Sequence, residues 1–300
     1  SGVTAPILIF GALSVSDLDG VFDYRLTPTI SSPATGEALQ AGAVKRNATL
    51  HYHLKIDTGM NRLGFRHDNL RRTLPPLLSS SNLVLDAVHT HFGTADEPGH
   101  ALFETQRQRF DVACKIVDEL GAGPRLRHAA NSAALLRDSR VWLDFVRPGL
   151  LLYGVVPPPL GSNIPLKPVM SLTSRVVATK GVRVGETVGY GGRFTAERPV
   201  TLAVIPAGYA DGLDRRLENR GSVLIRGRRA AIVGAVSMDM LTADVTDIEG
   251  VGPGDEVVFL GSQGAEPQQT IDAREMAAWI GTIPYEILCR LGSRVERIYQ

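Results

Sequence analysis

The sequence contains little cysteine, almost no net charge and no long apolar run. Its two cysteines, Cys114 and Cys289, are far apart and lie in no CxxC or Cys/His metal spacing. A disulfide framework and a metal site are therefore disfavoured, and a reducing cytoplasm is predicted. The 32 basic and 31 acidic residues give a net charge of +1, which offers no electrostatic basis for a nucleic acid or an anionic membrane as main partner. No apolar run approaches the roughly 20 residues of a membrane-spanning helix.

With 300 residues, of which 44% are hydrophobic, the chain is long enough for one large or two medium globular domains. In its first half, short apolar runs alternate with amphipathic segments. The predicted strands lie at 6–10, 24–30, 50–56, 83–92, 125–131 and 144–154, and the helix-like segments at 32–46, 69–80 and 99–120. This alternation predicts a parallel sheet of about six βα units. Such a number suits an open doubly wound sheet and is two short of a (β/α)8 barrel.

A Pro-rich segment at 155–168 ends this pattern and is predicted to be a linker. After it, β-rich runs follow one another at close spacing, separated by glycine turns, and one helix is predicted at 271–281. We therefore predict an α/β domain over residues 1–160 and a mostly-β domain over residues 161–300.

Polar side chains of chemically active kinds follow the predicted strands of the first half. The stretch HYHLKIDTGMNRLGF at 51–65 puts His51, His53, Lys55 and Asp57 on one face of a strand. Others come at or after strand ends, namely Arg62, His89, His91, Asp96, His128, Asn131, Ser132, Arg147, Gly149 and Tyr153. Because ligands bind at the carboxyl ends of parallel strands, this grouping indicates a site. Taken singly, each residue is more often a satisfied ion pair, a hydrogen-bonded histidine or a helix cap than a functional group.

The β-rich half carries fewer groups of this kind. Tyr190 lies between glycines in VGYGGRFTA, and Tyr209 lies in IPAGYADGLDRR. Met238 and Asp239 belong to VSMDM, and Tyr285 belongs to IPYEILCRLGSR. By themselves, Tyr190 and Tyr209 are more often packing residues than catalysts.

Eight motifs in a fixed order give the chain a specific resemblance. They are HLKIDTGMNRLGF, HTHFGTADE, HAANSAALL, VRPGLLLYG, VGYGGRFTA, IPAGYADGLDRR, VSMDM and GTIPYEILCRLGSRVERIY. In these motifs the chain resembles the alanine racemase family, which consists of pyridoxal-phosphate enzymes with a TIM-like barrel followed by a β domain. The resemblance covers essentially the entire chain. It implies an incomplete (β/α)8 TIM-like barrel of about six βα units and a C-terminal mostly-β domain.

The resemblance also implies roles for individual residues. Tyr190 is expected to be the catalytic tyrosine, an acid or base on one face of the substrate Cα. His91 is expected to hydrogen-bond this tyrosine, and Arg147 to extend the network and contact the pyridine nitrogen of the cofactor. Arg62 is expected to reach the cofactor's phenolic oxygen and the substrate carboxylate. Lys55 is expected to be N-carboxylated and to face Arg62.

The same resemblance assigns further contacts. The cofactor phosphate is expected to lie on Ser132, the amides of Gly149 and Leu150, and Tyr285. Substrate access is expected to be shaped by Tyr209, Met238 and Asp239. In the family, the residues matching Tyr190, Tyr209, Met238 and Asp239 serve the barrel of the other subunit. A head-to-tail homodimer with shared sites is therefore implied.

One departure concerns the lysine that binds the cofactor covalently. In the family this lysine follows the first barrel strand, in a segment like VVKADAYGHG, and no such segment is found in this sequence. The lysines other than Lys55 are Lys45, Lys115, Lys167 and Lys180, and they lie in helix, linker or β-domain contexts. We therefore expect the chain to be a fragment lacking two βα units and the Schiff-base lysine. The isolated 300-residue chain is expected to be inactive.

The implied activity of the parent protein is the interconversion of L- and D-alanine, through a pyridoxal-phosphate aldimine and two-base proton transfer. This reaction would supply D-alanine for peptidoglycan in a bacterial cytoplasm. Two alternatives stay open: a broad-specificity amino-acid racemase of the same fold, and a non-catalytic cofactor-binding or regulatory module. A basic amino-acid decarboxylase is disfavoured by VGYGGRFTA and IPAGYADG.

Overall fold

The computed structural model describes residues 2–14 and 16–299, which form two compact units. The first unit comprises the described residues of 1–149 and 156–163, and the second comprises those of 150–155 and 164–300. The short segment Leu150–Val155 thus belongs to the second unit, a detail that the sequence-based division at residue 160 does not contain. No helix in the described part of the chain has the length and apolar character needed to cross a membrane.

The first unit is built on a parallel sheet. The strands that the structure describes there are Leu8–Ile9 (β1), Thr27–Ile30 (β2), Leu50–Asp57 (β3), Phe65–Arg66 (β4), Leu83–His89 (β5) and Leu126–His128 (β6). Their order is β1-β2-β3-β5-β6, with β4 paired to β3 beside this path. All these pairings are parallel, which confirms the predicted sheet of βα units.

Helices alternate with these strands along the chain. They are Asp19–Asp23 (α1), Pro33–Lys45 (α2), Leu70–Thr73 (α3), Pro75–Leu78 (α4), Leu102–Glu119 (α5), Ser132–Arg137 (α6) and Gly149–Leu152 (α7). Helix α2 begins at Pro33 because the Ser32 side chain accepts a hydrogen bond from the Thr35 amide at 3.2 Å. Proline is tolerated at this first position because its missing N–H has no helical partner there.

The strand predicted at 144–154 is wrong. Arg147 makes an isolated parallel bridge with Asn131, and Gly149–Leu152 is helical. Pro148 has no backbone N–H to donate to a strand ladder, which explains why the apolar run does not continue as a strand. The strand predicted at 24–30 begins later, at Thr27.

The second unit is an antiparallel β structure. Its described strands are Leu172–Arg175 (β7), Ala178–Val182 (β8), Thr187–Val188 (β9), Phe194–Thr195 (β10), Val200–Ile205 (β11), Ser222–Ile225 (β12), Arg228–Ile232 (β13), Leu241–Asp244 (β14), Glu256–Gln263 (β15) and Gln269–Ile271 (β16). Eight of them form one sheet in the order β16-β15-β12-β13-β14-β11-β8, with β7 paired to β15. Strands β9 and β10 form a separate pair. The predicted all-β character of this half is confirmed.

Two helices close the second unit, Ala273–Ile280 (α8) and Pro284–Cys289 (α9). Helix α8 confirms the helix predicted at 271–281. Its N-terminus is capped by Asp272, whose carboxylate accepts a hydrogen bond from the Glu275 amide at 2.8 Å. It ends at Gly281, whose φ of +66° is a conformation that glycine adopts without a steric cost.

Candidate functional site

Three basic side chains stand next to one another in the parallel sheet of the first unit. Lys55 on β3 is in register with His89 on β5, and His89 is in register with His128 on β6. Residues at matching positions of neighbouring strands point to the same face. Lys55 is 3% exposed, and both histidines are fully buried. Apart from the exposed His51, the polar face that HYHLKID predicts for β3 is therefore an interior face of this unit.

Arg147 begins a directed hydrogen-bond chain through this interior. Its Nη1 lies 2.6 Å from Nδ1 of His128, and Nε2 of His128 lies 3.0 Å from Nδ1 of His53. A guanidinium only donates, so Nδ1 of His128 accepts and the imidazole proton lies on Nε2. That proton is then donated to His53. The contacts thus assign both the tautomer of His128 and the direction of the chain.

The second arm of Arg147 reaches the segment after β5. Its Nη2 donates to the carbonyl oxygens of Thr90 and Ala129, each at 2.9 Å, and lies 3.4 Å from Nδ1 of His91. Because the guanidinium can only donate, this contact leaves the proton of a neutral His91 on Nε2. The guanidinium carbon also lies 4.9 Å from the centre of the Phe10 ring. Arg147 is therefore held from several sides, and its orientation is fixed.

The interior shifts the pKa of each of these groups. Burial, reinforced by Arg147, lowers the pKa of His91 to about 4 and that of His128 to about 2. Burial lowers the pKa of Arg147 to about 10. The pKa of Lys55 is also lowered, by burial and then by the positive charges of Arg62 and Arg147. At neutral pH the two histidines are therefore neutral and Arg147 is charged.

A small pocket opens beside this network. It is lined by Lys55, Ile56, Asp57, Met60, Arg62, Leu63, Thr90 and His91. The loop that carries Arg62 is shaped by Asp57, whose Oδ1 accepts hydrogen bonds from the amides of Gly59 at 2.9 Å and Asn61 at 3.1 Å. The structure thus brings together three predicted site residues, Lys55, Arg62 and His91, with Arg147 next to them.

The predicted phosphate contacts belong to several different elements. Ser132 is 2% exposed and is the first residue of α6, which Asn131 caps by accepting a hydrogen bond from the Ala134 amide at 2.9 Å. The amide of Gly149 donates to the Arg147 carbonyl at 2.9 Å. In the second unit, Leu150 is buried and Tyr285 is 42% exposed, the latter on α9.

The second unit presents its predicted site residues on loops. Tyr190 is 75% exposed and lies in a 3-10 turn, Tyr190–Gly192, while Tyr209 begins another, Tyr209–Asp211. The amide of Tyr209 donates to the Ser237 carbonyl at 3.0 Å, which sets it beside Met238. Met238 is 55% exposed, and Asp239 is exposed as well.

These loops share one neighbour, the segment 234–240. A Cβ on Gly189, just before Tyr190, would lie 3.1 Å from the Ala235 amide nitrogen. A Cβ on Gly208, just before Tyr209, would lie 2.3 Å from the Ser237 carbonyl oxygen. Glycine at both positions therefore allows the close backbone approach that groups Tyr190, Tyr209, Met238 and Asp239.

Sequence reasoning missed several residues that build the site. Phe10, Thr58, Thr90 and Gln106 were not predicted as site residues. One signal was available for Gln106, since a polar residue at position 106 interrupts an otherwise apolar stripe on α5. No local signal marks Phe10, because its contact with Arg147 joins residues distant in the sequence.

Comparison with known proteins agrees with this architecture. Residues 1–157 match the model of the alanine racemase N-terminal domain, and residues 169–299 match that of the alanine racemase C-terminal domain. A curated alanine racemase of Carboxydothermus hydrogenoformans is 42% identical over 304 residues, covering 100% of this chain and 81% of that protein.

Two solved structures are similar over nearly the whole chain. Alanine racemase from a D-cycloserine-producing Streptomyces lavendulae matches with a TM-score of 0.92 and 31% identity, covering 100% of this chain and 79% of that one. Alanine racemase from Bartonella henselae with covalently bound pyridoxal phosphate matches with a TM-score of 0.85 and 29% identity, covering 98% and 79%. The first unit thus has the parallel strands of a TIM-like barrel, and the second is the family's β domain. On its sequence, its two domains and its fold, the chain belongs to the alanine racemase family.

Proposed function

We propose that the half-buried Arg147–His91 pair of the first unit, with Tyr190 as the exposed group of the second, performs the proton transfer of alanine racemisation with pyridoxal phosphate. The observation that carries this proposal is the geometry around Arg147, whose guanidinium donates to fixed acceptors beside a neutral His91. The names of the relatives favour alanine racemase over both the broader racemase and the non-catalytic module.

The residues of the first unit fit an anionic cofactor. Arg62 and Arg147 give this region a cationic character, since both positive charges act on Lys55. Both ring nitrogens of His89 and the hydroxyl of Thr29 are buried without a hydrogen-bond partner among the described residues, which leaves polar atoms available. Pyridoxal phosphate, when bound, withdraws electrons from the substrate and so makes its Cα proton acidic. The relative from Bartonella henselae supports this choice of cofactor.

Arg147 and Arg62 would hold this cofactor, and Ser132, Gly149, Leu150 and Tyr285 are proposed to bind its phosphate. The pKa of Arg147, about 10, keeps the guanidinium charged at neutral pH. A charged guanidinium facing the pyridine nitrogen donates a hydrogen bond and supplies no proton. Arg62, on the loop shaped by Asp57, would pair with the phenolic oxygen and with the substrate carboxylate.

His91 is proposed to support Tyr190. Its lowered pKa keeps the ring neutral, and the Arg147 contact puts its proton on Nε2. An Nε2–H donor stabilises a phenolate oxygen, which makes the tyrosine a better base near neutral pH. The resemblance assigns Tyr190, Tyr209, Met238 and Asp239 to the barrel of a partner subunit, so we propose a head-to-tail homodimer.

Lys55 is proposed to be carboxylated on Nζ. Only a neutral amine reacts with carbon dioxide, and the lowered pKa of Lys55 favours that form. The product would be an anion beside Arg62 and Arg147, whose charges now repel the ammonium. Intact-mass measurement should show one carbon dioxide more than the sequence mass at mildly alkaline pH and none after acid treatment. A mass equal to that of the sequence under both conditions would contradict the modification.

The decisive experiment is Tyr190→Phe in the protein expressed from its natural gene. Without its hydroxyl, proton exchange at Cα should fall about 10²-fold or more for one alanine enantiomer and much less for the other. Deuterium incorporation from D₂O into each enantiomer measures this difference. Tyr24→Phe, at an exposed tyrosine of the first unit, serves as the control. An equal fall in the exchange rate for both enantiomers would contradict the assignment of Tyr190 to one face of the substrate.

A further inference from the structure

Helix α5 carries a polar residue in the middle of its buried face. Gln106 is fully buried, between Phe103 and Phe110, each 3% exposed, on the same face of the helix. Burying a primary amide is unfavourable unless its hydrogen bonds are made. Glutamine is therefore tolerated at this position only if its amide is hydrogen-bonded.

The amide of Gln106 joins two loops that follow neighbouring strands. Its Nε2 donates to the His91 carbonyl at 2.9 Å and to Thr58 Oγ1 at 3.2 Å, and its Oε1 accepts from the Gly93 amide at 2.9 Å. Thr58 begins the loop that carries Arg62, while His91 and Gly93 lie in the loop after β5. Both donors are used, and the partners fix which amide atom is oxygen.

The link continues to Arg147 through two buried hydroxyls. Thr90 Oγ1 donates to the Ile56 carbonyl at 2.9 Å, so it accepts from Thr58 Oγ1 at 2.8 Å. The hydroxyl of Thr58 in turn accepts from Gln106. The carbonyl of the same Thr90 accepts from Arg147 Nη2. Gln106, Thr58 and Thr90 thus form one connected network, which we call the Gln106 network.

The helix is also held against the Arg62 loop. Arg109 Nη1 donates to the Thr58 carbonyl at 3.0 Å. A Cβ on Gly59 would lie 3.1 Å from Arg109 Nη1 and 3.4 Å from Gln106 Cγ, and its φ is +142°. The loop therefore lies directly on this part of α5, and its position depends on the side chain at residue 106.

We infer that Gln106 is a positioning residue for racemisation: it sets the placement of the Arg62 loop relative to His91 and Arg147. The inference rests on the proposed function, because Arg62, His91 and Arg147 have their catalytic meaning only there. An apolar side chain of similar size at position 106 would fill the space but leave the His91 carbonyl and the Gly93 amide unpaired. The two loops would then lose their common link.

The test is Gln106→Met in the protein expressed from its natural gene, with Gln108→Met as the matched control. Gln108 lies on the same helix but is exposed, and it donates to Glu104. We expect Gln106→Met to lower kcat about 10- to 100-fold in both directions, since displacements of about 1 Å have effects of that size. The histidine ring signals of His91 in the ¹⁵N NMR spectrum should shift, and the Gly93 amide should exchange faster with D₂O. Gln108→Met should change none of these.

The NMR signals distinguish a failure of the proposed function from a failure of the positioning role of Gln106. If the natural protein does not racemise alanine, the proposed function fails, whereas the His91 and Gly93 signals still report on the Gln106 link. The positioning role is overturned if kcat per folded molecule in Gln106→Met stays within about twofold of the control, or if the His91 signal does not move. If Gln106→Met does not fold, Thr58→Val is measured instead. This variant removes the hydroxyl that joins Gln106 to Thr90 and keeps the side-chain volume nearly constant. A fall in kcat of threefold or more with a shifted His91 signal supports the inference, and unchanged values overturn it.

Discussion

The first unit buries histidines and a lysine inside its parallel sheet, whereas the second unit packs its sheet and α8 around apolar side chains. The polar or charged residues that are buried in the described chain are Thr29, Thr35, His53, Lys55, Thr58, His89, Thr90, Thr94, Gln106, His128 and Ser132. All of them belong to the first unit. In the second unit, the predicted site residues Tyr190, Tyr209 and Met238 are instead exposed.

This difference indicates how the two units contribute. Burying polar and ionisable groups costs free energy, and the hydrogen bonds of Arg147 and Gln106 offset part of that cost in the first unit. The second unit gains stability from apolar burial around residues such as Leu224, Ile225 and Phe259. It can therefore present tyrosines on loops without disturbing its core. Mutations in the first interior should change chemistry, and mutations in the second core should change stability.

The largest effect is expected at Arg147. Arg147→Lys keeps the charge but cannot reach His128, Thr90 and Ala129 at once, because the planar fork of donors is lost. We expect kcat for alanine to fall about 10²- to 10³-fold, equivalent to about 3–4 kcal/mol of activation free energy. Arg127→Lys, at an arginine of the same unit paired with Asp118, is the control. If kcat fell as much in Arg127→Lys as in Arg147→Lys, the result would contradict a special role for the interior of the first unit.

A second prediction concerns the apolar core of the other unit. Leu224 is fully buried on β12, so Leu224→Ala removes apolar contacts and leaves a cavity. The free energy of unfolding should fall by about 3 kcal/mol, with kcat per folded molecule nearly unchanged. Urea unfolding and a kinetic assay on the folded fraction measure the two quantities. A loss of kcat without a loss of stability would contradict the division of roles.

The pH dependence of stability should come from the first unit. The pKa of His91 is about 4 in the folded protein and about 6.5 when unfolded, so the unfolded chain binds more protons between these values. The contribution of His91 to the free energy of unfolding is therefore fully present above about pH 6.5 and is lost as the pH drops towards 4. Between about pH 7 and pH 5, His91 alone should account for a loss of about 2 kcal/mol.

The measurement is urea unfolding at both pH values, compared between the natural protein and His91→Asn. The variant should lose less stability on acidification, and His100→Asn, at an exposed histidine, should behave like the natural protein. His53, His89 and His128 act in the same direction, because burial lowers their pKa values as well. Identical pH profiles for natural protein and His91→Asn would show that this ring titrates alike in both states.

The smallest effect is expected at a surface ion pair of the second unit. Arg198 and Asp247 lie 2.8 Å apart, but their side chains are 55% and 72% exposed. Arg198→Ala should change the free energy of unfolding by less than about 1 kcal/mol, because solvent screens the pair. Thermal unfolding checks this. A loss as large as that of Leu224→Ala would mean that the second unit depends on surface charge rather than on its core.

Much of the fold could be predicted from the sequence. The alternation of apolar runs and helices predicted the parallel sheet, and the glycine-punctuated β runs predicted the second unit. The parity of HYHLKID correctly placed His53 and Lys55 on an interior face, because side-chain alternation is a local property of strands. The strand predicted at 144–154 failed at Pro148, where a missing N–H outweighed the apolar run.

The site was predictable only in part. The motif resemblance predicted Lys55, Arg62, His91 and Arg147 as site residues, and the structure places all four near one another in the first unit. It did not identify Gln106, because a helical pattern is judged by its apolar positions, and a glutamine among them has no visible purpose until its partners are known. The roles assigned to Tyr190, Ser132 and Tyr285 stay predictions.

The sequence by itself determined the local features: strand parity, helix caps such as Asp272, and the ordered motifs that place the chain in its family. These depend on residues close together in the chain. The tertiary structure decided which distant groups meet, including the direction of the chain from Arg147 through His128 to His53 and the joining of two loops by Gln106. It also decided the protonation states, because the pKa of His91 or Lys55 is set by burial and by charges that only folding brings near.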